Sequence, residues 1–163
     1  MLTISQVSTP SEIQGVQELL REYTAWVFTL ESDQAPALQG LEQEMPTLPG
    51  IYAPPTGCLL LAVQDGQPAG CIALKGHDAT TGELKRLYVR PAFRGRKIGR
   101  QLVAALIAQA RKLGYQRLFL DSHISMTKAH EIYITAGFRK IDTPSDYPEA
   151  FRPVAVFMEM AIE

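Results

Sequence analysis

The order of hydrophobic patterns along the chain is the feature that most constrains its fold. Apolar residues recur at spacings of three and four over residues 10–30 and 98–113, which predicts two long amphipathic helices. Three strand patterns lie between them, in residues 58–64, 67–74 and 83–90, and a strand, a helix and two further strands follow. Because tight turns reverse a strand while helical connections can return it in parallel, this order predicts a mixed sheet. We expect an α/β fold with helices on both faces of the sheet.

Local signals mark where several of these elements begin and end. Thr9 is a natural N-cap, Pro10 occupies the first helical position and Glu12 completes a capping box. The pair Asp65-Gly66 predicts a tight hairpin turn between the first two central strands. The 163 residues suit a single domain over 1–163. Within it, the proline-rich stretch 32–56 is expected to hold only a short helix around residues 38–45.

The strand over residues 83–90 has an irregular apolar pattern. Its apolar residues Leu84, Leu87 and Val89 do not alternate strictly with polar ones. One extra residue near Lys85-Arg86 would bring all three to one face, so we predict a β-bulge there. Burial of the strand on both faces is the alternative interpretation.

Cysteine usage and hydropathy point to a reducing compartment. With a two-residue turn, Cys71 would face Leu60 and Cys58 would lie diagonally on the same face, at the limit of disulfide geometry. We therefore expect two free, structural thiols. The uninterrupted apolar runs, such as that from Cys58 to Val63, are far shorter than the roughly 20 residues of a membrane helix. The N-terminus has no positive charge and no signal-peptide core, so we expect a cytoplasmic protein with no membrane association.

The charge distribution is strongly polarised although the net charge is only −1. Between Glu83 and Arg117 lie ten basic residues and a single acid, whereas the rest of the chain carries six basic and sixteen acidic residues. The ten are Lys85, Arg86, Arg90, Arg94, Arg96, Lys97, Arg100, Arg111, Lys112 and Arg117. Such polarity favours an anionic partner bound at one place. Nucleic acid is not expected, because the basic residues are not interleaved with aromatic ones.

A phosphate-binding site is predicted where residues 94–99 open the second long helix. A helix start presents unpaired N–H groups and the positive end of the helix dipole, and glycine lets an anion approach the backbone. Gly95 and Gly99 fit neither a Walker A loop nor a dinucleotide-binding Gly-x-Gly-x-x-Gly motif. The alternative is a solvated basic helix start with a turn glycine.

Two motifs in this region resemble those of the GNAT superfamily of N-acetyltransferases. Leu87-Tyr88-Val89-Arg90-Pro91 followed by Arg94-Gly95-Arg96-Lys97-Ile98-Gly99 resembles the acetyl-CoA signature, whose core is Arg/Gln-x-x-Gly-x-Gly/Ala. Downstream, Ala129-x-x-x-Tyr133-x-x-x-Gly137-Phe138 is similar to the second signature of the family. The resemblance extends from about residue 58 to the C-terminus.

This resemblance implies a GNAT-like three-layer α/β/α fold whose mixed, mostly antiparallel sheet of about seven strands splays between its two central parallel strands. It also implies acetyl-CoA as cosubstrate. The expected cofactor-binding residues are Leu87, Tyr88, Val89, Arg94, Gly95, Arg96, Lys97, Ile98, Gly99 and Arg100. Backbone groups of Leu87 and Val89 would pair with the pantetheine arm, and the amides of residues 94–99, with Arg100, would hold the pyrophosphate.

The sequence departs from the family pattern at two positions. Lys97 stands at the place of the first signature glycine, and its amide suits the site provided that φ stays negative. Met126 stands where many members have an asparagine near the cofactor, so that contact is not transferred to this chain. Ser125 or Thr127 is expected to cap the following helix instead.

Acetyl transfer to an amine requires a base, an oxyanion donor and an acid, and the resemblance implies a residue for each. Glu83 would be the general base, the Val89 amide the oxyanion donor and Tyr133 the general acid. The alternatives are a solvated glutamate at a strand end and a core tyrosine. His123, just after a strand end, is a second candidate base.

The acceptor and the assembly are less constrained by the sequence. Trp26 and Tyr147 are candidate acceptor-binding residues, because the elements that carry them border the acceptor site in the family. The acceptor is expected to be a small amine, an amino acid or a peptide, and the acidic remainder of the chain favours a cationic one. No metal is expected, because the three histidines lack ligand spacing. A homodimer is a candidate assembly, and a non-catalytic acyl-CoA sensor is the alternative function.

Overall fold

A seven-stranded mixed sheet forms the centre of the computed structural model, which describes residues 1–30, 38 and 40–163. The strands are β1 (Leu2–Gln6), β2 (Cys58–Gln64), β3 (Gln67–Gly76), β4 (Thr81–Val89), β5 (Arg117–His123), β6 (Arg139–Ile141) and β7 (Ala155–Ala161). Their spatial order is β1-β2-β3-β4-β5-β7-β6. Within the described residues, β4 and β5 form the parallel pair and every other neighbouring pair is antiparallel. The predicted mixed sheet is therefore confirmed.

Helices cover both faces of the sheet, as predicted. They are α1 (Pro10–Val27), α2 (Leu41–Glu44), α3 (Ile98–Lys112) and α4 (Thr127–Ala136). The predicted capping box starts α1, because the Thr9 hydroxyl accepts from the Glu12 amide at 3.2 Å and the Glu12 carboxylate accepts from the Thr9 amide at 3.0 Å. The short helix expected around residues 38–45 is seen as α2 and a 3₁₀ turn at Met45–Thr47, while residues 31–37 and 39 lie outside the described part. No described helix is long and apolar enough to cross a membrane.

Each face of the sheet has its own hydrophobic core. Ile98, Leu102 and Leu106 of α3 and Tyr133 of α4 pack on one face, which we call the α3 face. Residues of α1 and α2 pack on the opposite face, the α1 face. The molecule thus has the three layers expected of a sheet that is apolar on both sides.

The parallel pair separates soon after it begins. Strands β4 and β5 pair through three positions, Thr81–Arg117, Gly82–Leu118 and Glu83–Phe119. The ladder between the two strands stops at Glu83, although β4 runs on to Val89 and β5 to His123. The expected splay is therefore present, and we call the opening between the two strands the gap.

A β-bulge in β4 sits beside the gap, as predicted. Cys71 lies opposite Tyr88, but Ala73 lies opposite Lys85, so β4 contains one extra residue. Arg86 takes a left-handed conformation, with φ of 63°. Leu84 belongs to the α3-face core, and Leu87 and Val89 pack against it from the same side.

The β2–β3 hairpin confirms the predicted turn but corrects the position of the cysteines. Asp65 and Gly66 have φ of 51° and 80°, as a tight hairpin turn of this kind requires. A second irregularity, between Ala62 and Val63, shifts the register so that Cys71 lies opposite Leu61 and not Leu60. In consequence Cys58 packs in the α3-face core and Cys71 in the α1-face core, and both thiols are free.

Candidate active site

Two cavities meet at the gap. The larger, of about 630 Å³, lies between the sheet, the α2 region and the loop before β7. The smaller, of about 60 Å³, lies between Trp26 of α1 and Tyr133 of α4. Lys85 of β4 and Asp121 of β5 line both cavities, so these two residues mark the place where the cavities adjoin. A site open from both faces of a sheet suits a reaction between two substrates.

Glu83 lies on the floor of the larger cavity. It is the last residue of β4 that pairs with β5, and it stands directly opposite Lys75 of β3. Its side chain is half-buried, and this burial raises the pKa of its carboxyl above the ordinary value of 4.5. Asp121 raises the pKa further, whereas Lys85 and Lys75 oppose the shift. A carboxylate held in this way is a better proton acceptor than a solvated one.

Tyr133 lines the smaller cavity and belongs to the hydrophobic core of the α3 face. Its side chain is 6% exposed, and its ring packs edge-on against Phe138 at 5.9 Å. Burial raises the pKa of the Tyr133 hydroxyl, which therefore stays protonated at neutral pH. The structure thus places the candidate acid and the candidate base on different cavities that adjoin at Lys85 and Asp121.

The backbone of Val89 faces the gap. The Arg90 amide donates to the Ala69 carbonyl at 2.8 Å, which makes the next pair along, Gly70 and Val89, a non-hydrogen-bonded pair. The Val89 amide and carbonyl therefore point away from β3. Consistent with this direction, the Val89 carbonyl accepts from Nε of Arg94 at 3.0 Å.

The start of α3 offers unpaired amides. Lys97 is its N-cap and makes no side-chain capping bond, so the amides of Ile98, Gly99 and Arg100 have neither a helical partner nor a cap. Gly95 has φ of 83° and open space around it. These features fit an anion such as a pyrophosphate.

The conformation of Lys97 differs from the expected one. Its φ is 61°, in the left-handed region, and not negative. A glycine at this position would adopt that conformation without steric cost, whereas a lysine pays about 1 kcal/mol. The need for a positive φ explains why glycine is usual here in the pattern that this chain resembles. Gly99 has a different reason, because a Cβ there would come within 2.9 Å of Cδ1 of Ile132.

The expected cofactor-binding side chains lie at different depths. Leu87 lines the smaller cavity, while Tyr88 is buried on the α1 face. The guanidinium of Arg94 lies 5.8 Å from the Trp26 ring centre and 5.9 Å from that of Tyr88. Trp26 also borders the smaller cavity, and the Arg94 guanidinium stacks against the Trp26 ring. Arg96, Lys97 and Arg100 are exposed around the start of α3.

Tyr147 lines the larger cavity and is tied to β5. Its hydroxyl donates to Oδ2 of Asp121 at 3.2 Å, and its ring packs edge-on against Phe157 at 5.0 Å. Asp121, Lys75 and Lys85 line the same cavity but were not singled out from the sequence as site residues. Only the strand register reveals them, since it places Lys75 beside Glu83.

His123 lies apart from both cavities. It is fully buried, and its Nδ1 contacts the hydroxyl of Ser125 at 2.6 Å. It is not among the residues that line either cavity, which leaves Glu83 as the candidate base that faces one. Among the described residues no cluster of histidine, cysteine and acidic side chains has the arrangement of a metal site.

Part of the basic segment is neutralised within the fold. Arg86, Arg90 and Arg117 form ion pairs with Glu44 at 2.9 Å, Glu22 at 2.7 Å and Glu159 at 2.9 Å, respectively. These three arginines hold elements together and do not face an outside anion. The charge available near the start of α3 therefore comes from the loop and first turn, residues 94–100.

Comparisons with known proteins agree with this architecture. The model of the acetyltransferase (GNAT) family matches residues 14–138. An uncharacterized N-acetyltransferase of Schizosaccharomyces pombe is 31% identical over 161 residues, which are 98% of this chain and 94% of the relative.

Solved structures share the fold over the whole chain. A GNAT-family acetyltransferase from Staphylococcus aureus matches with a TM-score of 0.80 and 20% identity over 100% of both chains. The PaiA N-acetyltransferase from Thermoplasma acidophilum, in complex with coenzyme A, matches with a TM-score of 0.75 and 22% identity over 99% of each chain. The chain therefore belongs to the acetyltransferase (GNAT) family and is an N-acetyltransferase, an enzyme that transfers an acetyl group to an amine.

Proposed function

We propose that the protein transfers an acetyl group from acetyl-CoA to the primary amine of a small molecule, amino acid or peptide by direct attack in a ternary complex. The observation that carries the proposal is the gap, where a cavity holding Glu83 adjoins a cavity holding Tyr133. The acetyl donor would enter from the side of Tyr133 and the amine from the side of Glu83.

The chain would hold acetyl-CoA by backbone groups at the gap and at the start of α3. The edge of β4 along the gap, at Leu87 and Val89, suits the amide groups of the pantetheine arm, which would compete with Arg94 for the Val89 carbonyl. The unpaired amides of Ile98, Gly99 and Arg100 suit the pyrophosphate, whereas the Arg94 amide already donates to the Pro91 carbonyl at 3.3 Å. Tyr88 supports Arg94 from below by the contact between ring and guanidinium. Acetyl-CoA supplies the acetyl group as an activated thioester.

The residues at the gap would divide the proton transfers between them. Glu83 accepts a proton from the ammonium of the acceptor, directly or through water, which frees the nitrogen lone pair to form the C–N bond. The Val89 amide donates a hydrogen bond to the carbonyl oxygen, which gains negative charge as that bond forms. The C–S bond then breaks as Tyr133 donates its proton to the departing sulfur, and the second proton of the attacking nitrogen passes through water to restore the phenol.

Direct transfer is favoured over an acetylated cysteine intermediate. Burial raises the pKa of both Cys58 and Cys71 to about 12, so both thiols stay protonated and are poor nucleophiles. Neither cysteine lines the larger or the smaller cavity. Trp26 and Tyr147, which do line them, are proposed to shape the acceptor site.

Tyr133→Phe separates the proposed enzyme from a non-catalytic acyl-CoA sensor. The variant keeps the ring packing but loses the acid, so kcat for CoA release should fall by about 10²–10⁴-fold. The Kd for acetyl-CoA, measured by calorimetry, should stay within about twofold. Ile134→Val, at an exposed neighbouring position, serves as the control. Unchanged turnover would remove Tyr133 from the mechanism, and acetyl-CoA binding without transfer to any amine would support the sensor.

We propose a cytoplasmic location and a homodimer as the remaining features of the protein. The two free, buried thiols support a reducing compartment. The sheet ends in β1 on one side and in β6 on the other, and these edges are candidates for pairing between two copies. Sedimentation equilibrium tests the dimer. We propose no metal cofactor and no nucleic-acid or membrane partner.

A further inference from the structure

The floor of the larger cavity carries both positive and negative side chains, and the register of the strands sets their positions. Lys75 lies opposite Glu83 on the neighbouring strand, and Lys85 follows Glu83 by two residues, so all three side chains share one face of the sheet. Asp121 faces the same cavity from β5, across the gap. His77 lines the cavity at its exposed side.

The two lysines are not used by the fold. Within the described part of the chain, neither ammonium group makes a hydrogen bond or an ion pair, although both side chains are half-buried. The buried Arg86 and the half-buried Arg90 in the same sheet are both paired with carboxylates. Burial lowers the pKa of the Lys85 ammonium, and the nearby carboxylates of Glu83 and Asp121 oppose that shift. A half-buried ammonium without a hydrogen-bonded carboxylate is costly, so an anionic ligand beside the two lysines would stabilise them.

The carboxylates of Glu83 and Asp121 are placed to contact the amine end of a ligand, opposite the end that the lysines would bind. Glu83 and Asp121 lie on either side of the gap, where the amine must arrive to meet the acetyl group. Lys75 lies one strand further from the gap, on β3. A ligand with a cationic amine at the gap would therefore place a negative group, a few bonds away, next to the lysines.

We infer that the acceptor is a small amine that also carries an anionic oxyacid group, such as a carboxylate or a phosphonate, and that Lys75 and Lys85 bind this group. The inference rests on the proposed function and narrows its acceptor class. A cavity of about 630 Å³ has the size of a small-molecule site. The N-terminus of a long peptide, whose carboxylate is far from its amine, does not satisfy the lysines.

Matched acceptors test the inference. CoA release is measured with a panel of amino acids and aminoalkylphosphonates, and with the neutral counterpart of each, the primary amide or the simple alkylamine. We expect kcat/KM for the preferred anionic acceptor to exceed that of its neutral counterpart by at least about tenfold. The amine of an amino-acid amide is less basic than the amine of the amino acid itself, and it loses its proton more easily. A preference for the amino acid would therefore be opposite to the intrinsic reactivity of the two amines.

Charge-neutral variants assign the preference to the two lysines. Lys75→Gln and Lys85→Gln should each reduce the ratio of kcat/KM between anionic and neutral acceptors by about tenfold, mainly through a higher KM for the anionic one. Lys112→Gln, exposed at the end of α3, is the control and should leave the ratio unchanged. A ratio that stays the same in both cavity variants would overturn the assignment.

The outcomes separate this inference from the proposed function. Neutral amines acetylated as fast as their anionic counterparts by the unmodified enzyme would overturn the inference and leave the N-acetyltransferase intact. Failure of every amine, with acetyl-CoA bound according to calorimetry, would overturn the proposed function and the inference with it. Because the first comparison uses the unmodified protein, it does not depend on the folding of any variant.

Discussion

Glu83 combines the proposed role of general base with a cost in stability. Its pKa is raised by burial, so the folded protein favours the protonated form. A group whose pKa is raised on folding contributes stability below its unfolded pKa and loses it as the pH rises through the folded pKa. Ionisation of Glu83 therefore opposes folding.

The variant Glu83→Gln should show both effects. We expect a higher Tm than that of the unmodified protein at pH 7, with a difference that shrinks as the pH falls toward 4. We also expect kcat/KM to drop by about 10²–10⁴-fold and to lose its acidic limb. Differential scanning calorimetry and pH–rate profiles measure these quantities. A variant of full activity with the same pH profile would show that Glu83 is not the base.

Lys97 offers a separate test of backbone strain. Since its φ is 61°, Lys97→Gly should stabilise the protein, by up to about 1 kcal/mol in urea unfolding. Lys112→Gly, in the right-handed last turn of α3, is the control and should destabilise by a similar amount. If Lys97→Gly destabilises the protein, the lysine side chain stabilises the fold by more than its left-handed backbone conformation costs.

At the scale of elements, a buried ion pair fixes the α2 region to the bulge of β4. Glu44 at the end of α2 accepts from Nε and a terminal nitrogen of Arg86, at 3.1 and 2.9 Å, and from the Tyr52 hydroxyl at 2.6 Å. The side chains of Arg86 and Glu44 are 3% and 8% exposed. The contact joins a wall of the larger cavity to the strand that borders the gap.

Removal of one partner of this pair should be costly. Glu44→Ala leaves the Arg86 charge buried and uncompensated, so urea unfolding should show a loss of about 3–5 kcal/mol. Where the variant still folds, the KM of the acceptor should rise more than that of acetyl-CoA, because α2 borders only the larger cavity. Glu42→Ala, exposed on the same short helix, is the control. A loss below about 1 kcal/mol would show that the pair is not structurally important.

Elements with local signals could be predicted from the sequence, whereas the register between neighbouring strands could not. The capping box at Thr9 and the turn at Asp65-Gly66 depend on neighbouring residues alone, and both were predicted correctly. The register of β2 and β3 was predicted wrongly, because the extra residue of β3, Ala69, leaves no clear hydrophobic signal. Asp121 and Lys75 were missed for the same reason, since their place in the site depends on register across strands.

At the scale of the whole molecule, the polarised charge is only partly a binding feature. Exposed Arg94, Arg96, Lys97 and Arg100 remain around the start of α3 after the internal ion pairs are formed. We expect the Kd for acetyl-CoA to rise with salt, because screening shortens from about 10 Å at 0.1 M to about 3 Å at 1 M. Calorimetry at salt concentrations from about 0.05 M to about 0.5 M measures how steeply the Kd for acetyl-CoA depends on salt. Arg96→Gln should make the slope shallower, and a Kd independent of salt would contradict the proposed pyrophosphate site.

The incomplete pairing of β4 with β5 would give a bound acetyl-CoA a mechanical role. Among the described residues, three ladder pairs join the four-stranded half of the sheet to the three-stranded half. The pantetheine arm of acetyl-CoA, extended along Leu87 and Val89, would keep the two halves of the sheet apart. Its own amides would at the same time join the halves by hydrogen bonds. The same molecule that brings the acetyl group would then also brace the protein that uses it.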